Sequence, residues 1–412
     1  MDLKSKLKQL RQIKDIAEFN SENIGKNFQY AEIEYIDTSS VTEGRLTTIQ
    51  KLERKKSPSR AKRLVKNNDI VISTVRPNLK HYYFVKNAQK NLVVSTGFVV
   101  IRPIEVDPLY LYYYLITPMF IEYLVGVAES HTSAYPSFPP EIIENAEIDL
   151  PDENIQKKIG KILYDLDSQI ENLQKQNKIL EQIIQSIFKS WFIDFDGVTE
   201  FEDSELGKIP KGWQIGILEN FLDLTKGVSY KSQDLKFSNK ALVTLKSVKR
   251  GGGYTNIGLK SFDGKYNENQ VVKENDIIVA QTDLTQNADV IGKPALIRDS
   301  KHFDILVASL DIVIIKIKNN KILKFYIYYL FLTDRFQNHV YGYTSGTTVL
   351  HLAKDAIPNF VFILPPTKTL EKFDKLISTW IQKNHENNNQ IENLTKIRDF
   401  LLPKLMSGEI RV

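Results

Sequence analysis

The sequence predicts an α+β fold in which two tandem-repeated globular domains are separated by two long helices that form an antiparallel coiled coil. The pentapeptide Gln-Ile-Glu-Asn-Leu occurs at residues 169–173 and again at 390–394. Each copy lies within a long stretch of helical hydrophobic periodicity. Short runs of β-branched and aromatic residues precede each copy in the same order. One unit is therefore built twice, and we expect a duplicated chain to face a duplicated target.

Other landmarks support the duplication because they keep their order at a nearly constant spacing. Residues 65–70 match 272–277, which are 207 positions farther on, and residues 113–115 match 328–330 at a spacing of 215. The pentapeptide follows at a spacing of 221. Because the spacing only rises along the chain, we expect small loop insertions in one copy.

Each copy is expected to be a mixed globule of strands followed by a helix. The predicted strands of the first copy are 29–36, 69–75, 81–85 and 92–102, and those of the second are 241–248, 276–281, 294–298 and 305–317. Helical spacing follows at 108–125 in the first copy and at about 323–339 in the second. Pro136 and Pro139 exclude a regular helix just beyond the first of these.

The two long helices carry apolar stripes that predict pairing. The stripe of the first includes Ile159, Leu166, Ile170, Leu173, Leu180 and Ile184, and that of the second includes Ile377, Trp380, Ile391, Leu394 and Leu401. Amide residues interrupt both stripes, at Asn177 and at Asn387 among others, and such interruptions fix register. About 40 residues give a rod of about 60 Å. The alternative is two independent amphipathic helices, each packed on its own domain.

These patterns divide the chain into four segments. We expect a first globular domain at 1–150, a central helix at 151–196, a second globular domain at 197–366 and a C-terminal helix at 367–412. With 412 residues, of which 42% are hydrophobic and 25% charged, the chain can bury two ordinary cores.

Composition excludes several classes of protein. The chain has no cysteine, so disulfides and thiolate metal sites are excluded. No stretch approaches the roughly 18 apolar residues of a membrane span, and the Lys-rich start lacks the apolar core of a signal peptide. We therefore expect a soluble, cytoplasmic protein without a membrane partner. The net charge of +5 alone favours no ligand.

The distribution of charge is more informative than its sum. Residues 43–66 hold nine basic side chains and two acidic ones. This density is typical of a surface that binds a polyanion, and the candidates for such contacts are Lys55, Lys56, Arg60, Lys62 and Arg63. The alternative interpretation is a solvated loop or helix face.

Three motifs resemble the specificity subunits of type I restriction-modification systems. Residues 188–196, Phe-Lys-Ser-Trp-Phe-Ile-Asp-Phe-Asp, look like the end of that family's central helix. Residues 207–213, Gly-Lys-Ile-Pro-Lys-Gly-Trp, are similar to the opening of a target recognition domain, and residues 401–410 resemble the close of the C-terminal helix. The first half lacks such an opening and starts with the basic stretch 4–11.

The resemblance implies a DNA-recognition subunit without chemistry of its own. Two target recognition domains would each read one half of a bipartite site in double-stranded DNA from the major groove. The paired helices would set the spacing between half-sites and dock two modification subunits, which carry the S-adenosylmethionine-dependent adenine methyltransferase. Nuclease-translocase subunits would join that assembly. The alternative is a stand-alone coiled-coil structural or regulatory protein with incidental affinity for DNA.

A search of the residues for a catalytic site agrees with this implication. The prolines at 139–140 and 365–366 lack the flanking residues with which a methyltransferase that acts on amino groups grips its target amine. Gly207 to Gly212 is followed by Trp213 and not by the Lys-Ser/Thr of a phosphate-binding loop. The six histidines show no zinc-ligand spacing. We expect no catalytic residue, no metal and no cofactor, so the chain is not expected to be an enzyme.

The candidate base-reading residues follow the matched strands at 69–75 and 276–281, where the two copies diverge. They are Thr74, Arg76, Asn78, Lys80 and His81 in the first copy and Gln281, Thr282, Thr285, Gln286 and Asn287 in the second. Arginine pairs with guanine and glutamine with adenine through two hydrogen bonds each. Ordinary polar loops are the alternative interpretation.

Further candidates would contact the DNA backbone. They come from the turn before each long helix and from a basic segment of the second copy: Ser133, Tyr135, Ser345, Thr347, Lys246, Lys249, Arg250 and Tyr254. The hydroxyl residues among them could equally cap turns.

Overall fold

The computed structural model of the protein describes residues 9–25, 28–130, 135–285, 287–318 and 322–412. Among the predicted site residues, Ser133 and Gln286 lie outside the described residues, as does the basic stretch up to residue 8. The chain forms two compact units, here called unit 1 (Met1–Gln174 with Asn389–Val412) and unit 2 (Lys175–Asn388). Each unit therefore includes part of both long helices.

Unit 1 contains twelve of the strands that the structure describes. They are β1 Gln9–Gln12, β2 Ala17–Phe19, β3 Glu32–Ile36, β4 Val41–Thr42, β5 Arg45–Leu46, β6 Gln50–Glu53, β7 Ala61–Leu64, β8 Ile70–Ser73, β9 Tyr82–Phe84, β10 Leu92–Ser95, β11 Phe98–Pro103 and β12 Glu147–Leu150. Its helices are α1 Pro108–Leu115, α2 Pro118–Ser130, α3 Glu141–Glu144 and the start of α4 Glu153–Phe192. Two four-stranded sheets, ordered β6-β3-β10-β7 and β2-β11-β8-β9, form its centre.

Unit 2 repeats these sheets. Its strands are β13 Phe201–Ser204, β14 Gly207–Pro210, β15 Gln214–Ile217, β16 Leu222–Lys226, β17 Lys240–Val243, β18 Leu259–Ser261, β19 Val271–Val272, β20 Ile277–Ala280, β21 Thr282–Asp283, β22 Pro294–Leu296, β23 Ile305–Ala308, β24 Ile312–Ile317, β25 Thr344–Ser345, β26 Leu350–Leu352 and β27 Val361–Leu364. Helices α5 Lys324–Phe331 and α6 Asp334–Gly342 precede α7 Thr367–Ser407. The sheet orders are β18-β17-β23-β19 and β16-β24-β20-β22.

The same strand pairs recur in both units. The parallel pair β3–β10 of unit 1 has its counterpart in the parallel pair β17–β23 of unit 2. The buried strand β8 lies antiparallel to β11 and β9, as β20 lies antiparallel to β24 and β22. A buried strand rich in Val and Ile needs pairing on both edges, and both copies provide it. The predicted duplication is confirmed at the level of strand pairing.

A turn with a buried or nearly buried aspartate precedes β8 and β20, and each aspartate forms an ion pair with a strand residue far along the chain. Asn68 and Asn275 both adopt positive φ angles, of 72° and 63°, as a tight turn requires. The carboxylate of the next residue, Asp69 or Asp276, accepts the backbone N–H of the residue three positions earlier. Asp69 also accepts two hydrogen bonds from Arg102, at 2.9 and 2.8 Å.

The structure differs from the prediction mainly where one predicted helix or strand is divided into two. The helix expected at 108–125 is two helices, as is the one expected at 323–339. Thr117 and Thr333 cause these breaks, since each hydroxyl accepts the N–H of the phenylalanine three residues later and starts a new helix. The strands expected at 92–102 and 305–317 are each divided by a turn. The short strands outside these runs were not predicted.

The expected steady rise in spacing between the copies is wrong. Strands β1 and β15 are 205 positions apart, and helices α1 and α5 are 216 apart, one more than the sequence match suggested. Strands β12 and β27 are only 214 apart, so the spacing also falls. Insertions therefore occur in both copies, and residue matching alone placed the tyrosine-rich helices one position out of register.

The two long helices pair antiparallel within each unit. In unit 1, Arg398 of α7 donates to Asp167 of α4 at 2.8 Å, while Ile159 packs in one cluster with Leu402 and Leu405. In unit 2, Asn387 donates to Asn177 at 2.9 Å, and Phe188 meets Phe373. In both, residue numbers fall on one helix as they rise on the other. The predicted antiparallel coiled coil is confirmed.

All the residues predicted for the helical seam are at least partly buried. Ile159, Ile170, Ile184 and Ile377 are almost fully buried, and Leu166, Leu173, Leu180, Trp380, Ile391, Leu394 and Leu401 are partly buried. Within the described residues, no single helix is long and apolar enough to cross a membrane, and only the pair α1 and α2, bent by 55°, reaches that composition.

Candidate nucleic-acid interface

A polar loop follows each duplicated central strand. Loop 1 (residues 74–81) joins β8 to β9, and loop 2 (residues 281–293) joins β20 to β22. The strand registers Ile72↔Tyr82 and Val279↔Pro294 show that loop 2 is five residues longer. The two loops therefore differ in length and in side chains, while the strands that carry them pair in the same way in both units.

In unit 1, loop 1 pairs with residues 135–137, which lie between α2 and α3 and not directly before the long helix as predicted. Val75 forms a β-bridge with Ser137, and the N–H of Arg76 donates to the carbonyl of Pro136 at 2.8 Å. The guanidinium of Arg76 lies 4.9 Å from the ring centre of Tyr135, a cation–π contact. Two groups of residues that the sequence suggested separately thus meet at one surface.

The side chains of loop 1 divide into supporting and exposed groups. The hydroxyl of Thr74 donates to the carbonyl of Gly97 at 3.2 Å, and a ring nitrogen of His81 bonds the carbonyl of Val41. These two predicted base readers therefore help to hold the loop in place. By contrast, Arg76, Asn78 and Lys80 are exposed, and Lys80 forms a 3.2 Å ion pair with Glu43.

In unit 2, loop 2 begins in a small three-stranded sheet. Thr282 on β21 lies opposite His351 on β26, which lies opposite Ser345 on β25. This pairing is the counterpart of the Val75–Ser137 bridge in unit 1. The exposed Thr347 lies in the turn between β25 and β26. The hydroxyl of Thr282 donates to Asp311 at 3.0 Å.

Asp283 organises the rest of loop 2 from inside. Its buried carboxylate accepts backbone N–H groups from Thr285 and Val290 at 2.6 Å and from Ile291 at 2.9 Å. Desolvation opposes ionisation, but these hydrogen bonds, led by that from Thr285, outweigh it and lower the pKa of Asp283. The loop that carries Thr285 and the exposed Asn287 is therefore fixed by an internal charge. Gln281 is half-buried at the start of the loop.

The basic segment of unit 2 adjoins loop 2. The N–H of Gly251 donates to the carbonyl of Asp289 at 3.0 Å, and the guanidinium of Arg250 lies 3.8 Å from the carboxylate of Asp289. Lys246 and Arg250 are exposed. Of the cations predicted to contact phosphates, Arg250 thus lies beside loop 2.

Two predicted contacts of this segment lie in a different environment. Tyr254 is buried in a hydrophobic cluster of unit 2, so its ring serves the core and not the surface. Lys249 keeps solvent exposure, but desolvation and the charge of Arg298 lower its pKa, against the opposing charge of Glu181 on α4. Sequence could not indicate either environment, because both depend on how the segment packs against distant elements.

The basic cluster of unit 1 is tied to loop 1 through one turn. The N–H of Thr96 donates to the carbonyl of Arg60 at 2.8 Å. The carbonyl of Gly97, which follows Thr96, accepts the N–H of Thr74 at 2.9 Å. Lys55, Lys56, Arg60 and Lys62 are exposed. Burial lowers the pKa of Arg63, and its buried Nη1 has no hydrogen-bond partner among the described residues.

Both loops share one feature that their sequences do not reveal. Leu79 in loop 1 and Leu284 in loop 2 are exposed among polar neighbours. The only available signal was an apolar residue inside a polar loop, which does not reveal whether the side chain turns outward.

Comparisons with known proteins agree with this arrangement. Residues 5–182 and 210–398 each match the family described as the type I restriction modification DNA specificity domain. The chain is 32% identical over 343 residues to the type I restriction enzyme MjaIX specificity subunit of Methanocaldococcus jannaschii, covering 80% of this chain and 75% of that protein. It is 24% identical to the HindI specificity subunit of Haemophilus influenzae, covering 95% and 97% of the two chains.

A solved structure has the same fold. The S subunit of a type I restriction-modification system from M. genitalium superposes with a TM-score of 0.58 at 15% identity, covering 98% of both chains. Because the family match covers both halves of the sequence and the relative from M. jannaschii spans most of it, the chain belongs to the specificity subunits of type I restriction-modification systems, which are non-catalytic DNA-recognition components.

Proposed function

We propose that each unit of this specificity subunit reads one half of a bipartite site in double-stranded DNA. The target recognition domains are residues 1–150 and 197–366, and loops 1 and 2 present the base-reading side chains. One observation carries the proposal: the same backbone pairing recurs with different side chains, Val75–Ser137 in unit 1 and Thr282–His351 in unit 2. A shared scaffold with divergent loops suits two recognition modules of different sequence preference.

Charge around the loops supports this division of roles. Lys55, Lys56, Arg60 and Lys62 in unit 1 and Lys246 and Arg250 in unit 2 would bind phosphates. The exposed Arg76 and Asn78 have the side chains that pair with guanine and adenine. Arg63 does not belong to this group, because its buried Nη1 is out of reach of a phosphate unless the segment rearranges.

We further propose that the coiled coil docks two methyltransferase subunits. Exposed apolar side chains mark both helices: Ile179 (44% exposed) and Ile183 on α4 in unit 2, and Ile397 and Phe400 (58% exposed) on α7 in unit 1. Ile179 and Phe400 are 221 positions apart, the same spacing as the two pentapeptides. An exposed apolar surface on each helix, with one pair of residues at the repeat spacing, supports two copies of one partner. Nuclease-translocase subunits would join through that complex, in the cytoplasm.

Reconstitution tests the proposal. The chain is co-expressed with the methyltransferase subunits of a type I system, and methylated adenines are mapped by single-molecule sequencing of the host genome. We expect methylation at one bipartite sequence. A stable complex that methylates without sequence preference would contradict the proposal and favour a stand-alone coiled-coil protein with incidental DNA affinity. Phe237→Ala, at a fully exposed residue in another loop of unit 2, is the control and should leave the methylated sequence unchanged.

A further inference from the structure

Each of the two loops holds one leucine side chain out in solvent. Leu79 is 45% exposed in loop 1, and Leu284 is 70% exposed in loop 2. The neighbours of Leu79 are the exposed Arg76, Asn78 and Lys80. An isolated exposed leucine is common on protein surfaces, but these two occupy the corresponding loop of both repeats although the loops share neither length nor sequence.

The backbone fixes Leu79 in its outward position. Leu79 ends a 3-10 turn, Pro77–Leu79, in which Pro77 is buried. Arg76 and Lys80 flank this turn with φ angles of 49° and 55°, which are unfavourable for residues other than glycine. The N–H of Glu43 also donates to the carbonyl of Lys80 at 2.8 Å. The backbone of the turn therefore sets the direction in which the Leu79 side chain leaves the chain.

Leu284 is fixed by different means. It follows Asp283, whose buried carboxylate binds the backbone of the same loop at three N–H groups. In both loops, hydrogen bonds hold the backbone beside the leucine, and a side chain presented from a held backbone loses less conformational entropy when a ligand buries it.

The chemistry of DNA limits what an apolar side chain can recognise there. In the major groove, the base edges offer hydrogen-bond donors and acceptors, and the one apolar group is the C5 methyl of thymine. We propose that Leu79 and Leu284 are specificity-determining residues, each of which contacts a thymine methyl group in the half-site read by its own unit. This inference rests on the proposed function. The polar residues around each leucine are those that read major-groove edges, which favours this contact over insertion between base pairs.

The test replaces single thymines by deoxyuridine, which lacks only the methyl group. Equilibrium binding is measured with the full chain assembled with its methyltransferase subunits, on the site that methylation mapping has defined. Burial of one methyl group corresponds to a change of about fourfold in affinity. We expect one thymine in each half-site at which deoxyuridine weakens binding by about that factor.

The variants assign each methyl group to its leucine. Leu79→Ala should weaken binding to the natural site and abolish the deoxyuridine effect in one half-site only, and Leu284→Ala should abolish it in the other. Leu10→Ala is the matched control, because Leu10 is 63% exposed on β1, outside both loops. It should preserve both effects.

Three outcomes would overturn the inference. A selective wild-type complex that is indifferent to deoxyuridine, or leucine variants that keep the deoxyuridine effect, would reject the methyl contact while leaving the proposed function intact. Leucine variants that weaken binding to DNA whose thymines are all indifferent would indicate insertion between bases instead. A wild-type complex that binds all sequences equally would reject the proposed function together with this inference.

Discussion

The side-chain amide of Asn387 donates a 2.9 Å hydrogen bond to the side-chain oxygen of Asn177 inside the seam between the two long helices. Asn387 is completely buried. Arg398, which pairs with Asp167 in unit 1, stands 221 positions after Asn177, the spacing of the repeated pentapeptides. Each unit thus places a polar pair at a related position in the seam, an amide pair in one and an ion pair in the other. Polar pairs of this kind select one register at a cost in stability.

Replacement of both asparagines should separate stability from register. We expect the double variant Asn177→Leu with Asn387→Leu to have a free energy of unfolding equal to or above that of the wild type, because apolar groups replace both partners of a buried hydrogen bond. The methylated sites of its complex should show more than one gap length. Chemical denaturation measures the first effect and methylation mapping the second. A single unchanged gap would show that this pair does not select the register.

The coil should act as a ruler between the half-sites. Insertion of one heptad into α4 within residues 172–182, with a matching heptad in α7 within residues 382–392, lengthens both helices by about 10 Å. We expect the gap in the recognised site to grow by about three base pairs, at 3.4 Å each, with both half-sites unchanged. Altered half-sites with an unaltered gap would contradict the ruler. An insertion in α4 alone is the control and should destabilise the pairing.

Removal of Arg102 should destabilise unit 1 strongly. Asp69 is almost fully buried, so Arg102→Ala leaves an uncompensated charge, and we expect a loss of about 3–5 kcal/mol in the free energy of unfolding. Lys316→Ala in unit 2 is the matched variant. It should cost less, since Asp276 is more exposed and keeps Lys324 at 3.6 Å. Equal losses in urea denaturation would refute the argument from burial.

Asp283 should make loop 2 sensitive to acid. Its lowered pKa means that ionisation stabilises the fold above the ordinary value of 3.8, and this contribution is lost as the pH falls through the lower folded value. Asp283→Asn should cost about 1–3 kcal/mol near neutral pH and flatten the acid side of the stability curve. Thermal unfolding at a series of pH values measures both. The variant should also weaken selectivity in the second half-site, and unchanged selectivity would exclude a positioning role for Asp283.

Arg76 and Lys55 should differ in what they contribute. We expect Arg76→Ala to relax selectivity at one base pair of the first half-site by about 1–3 kcal/mol. Lys55→Ala should weaken binding to all sequences alike and reduce the slope of log affinity against log salt by about one. Binding titrations on a panel of single-base variants at several salt concentrations distinguish the two. A base-specific effect of Lys55→Ala would reverse the assignment.

Periodicity made the long helices predictable, because hydrophobic spacing records local geometry. Spacing alone predicts Ile159, Ile170 and Ile377 in the seam, and they are nearly fully buried. The break between the two helices that follow the sheets of each unit was not predictable in the same way. It depends on the hydroxyl of Thr117 or Thr333, which caps the second helix, while the apolar pattern of the sequence continues across the break.

The candidate site was only partly predictable because its members are brought together by distant pairing. Sequence located the loops through their divergence between the copies. It could not show that Thr74 and His81 support loop 1 while Arg76 faces outward, or that Tyr254 turns into the core. These orientations depend on partners far along the chain, such as Gly97 and Val41, and one sequence does not specify such partners.

Strand β1 of unit 1 and strand β15 of unit 2 each lie beside the last strand before a long helix. Gln9 pairs with Leu150 through β1 and β12, and Gln214 pairs with Leu364 through β15 and β27. The two ends of the repeated part of each unit therefore lie side by side, just before the long helix. A foreign domain that ends in the same strand pair can be joined there without any change to the paired helices. Recombination at these two strand pairs would let a host acquire specificity for a new half-site in one genetic step. The partner subunits would continue to bind the same coiled coil.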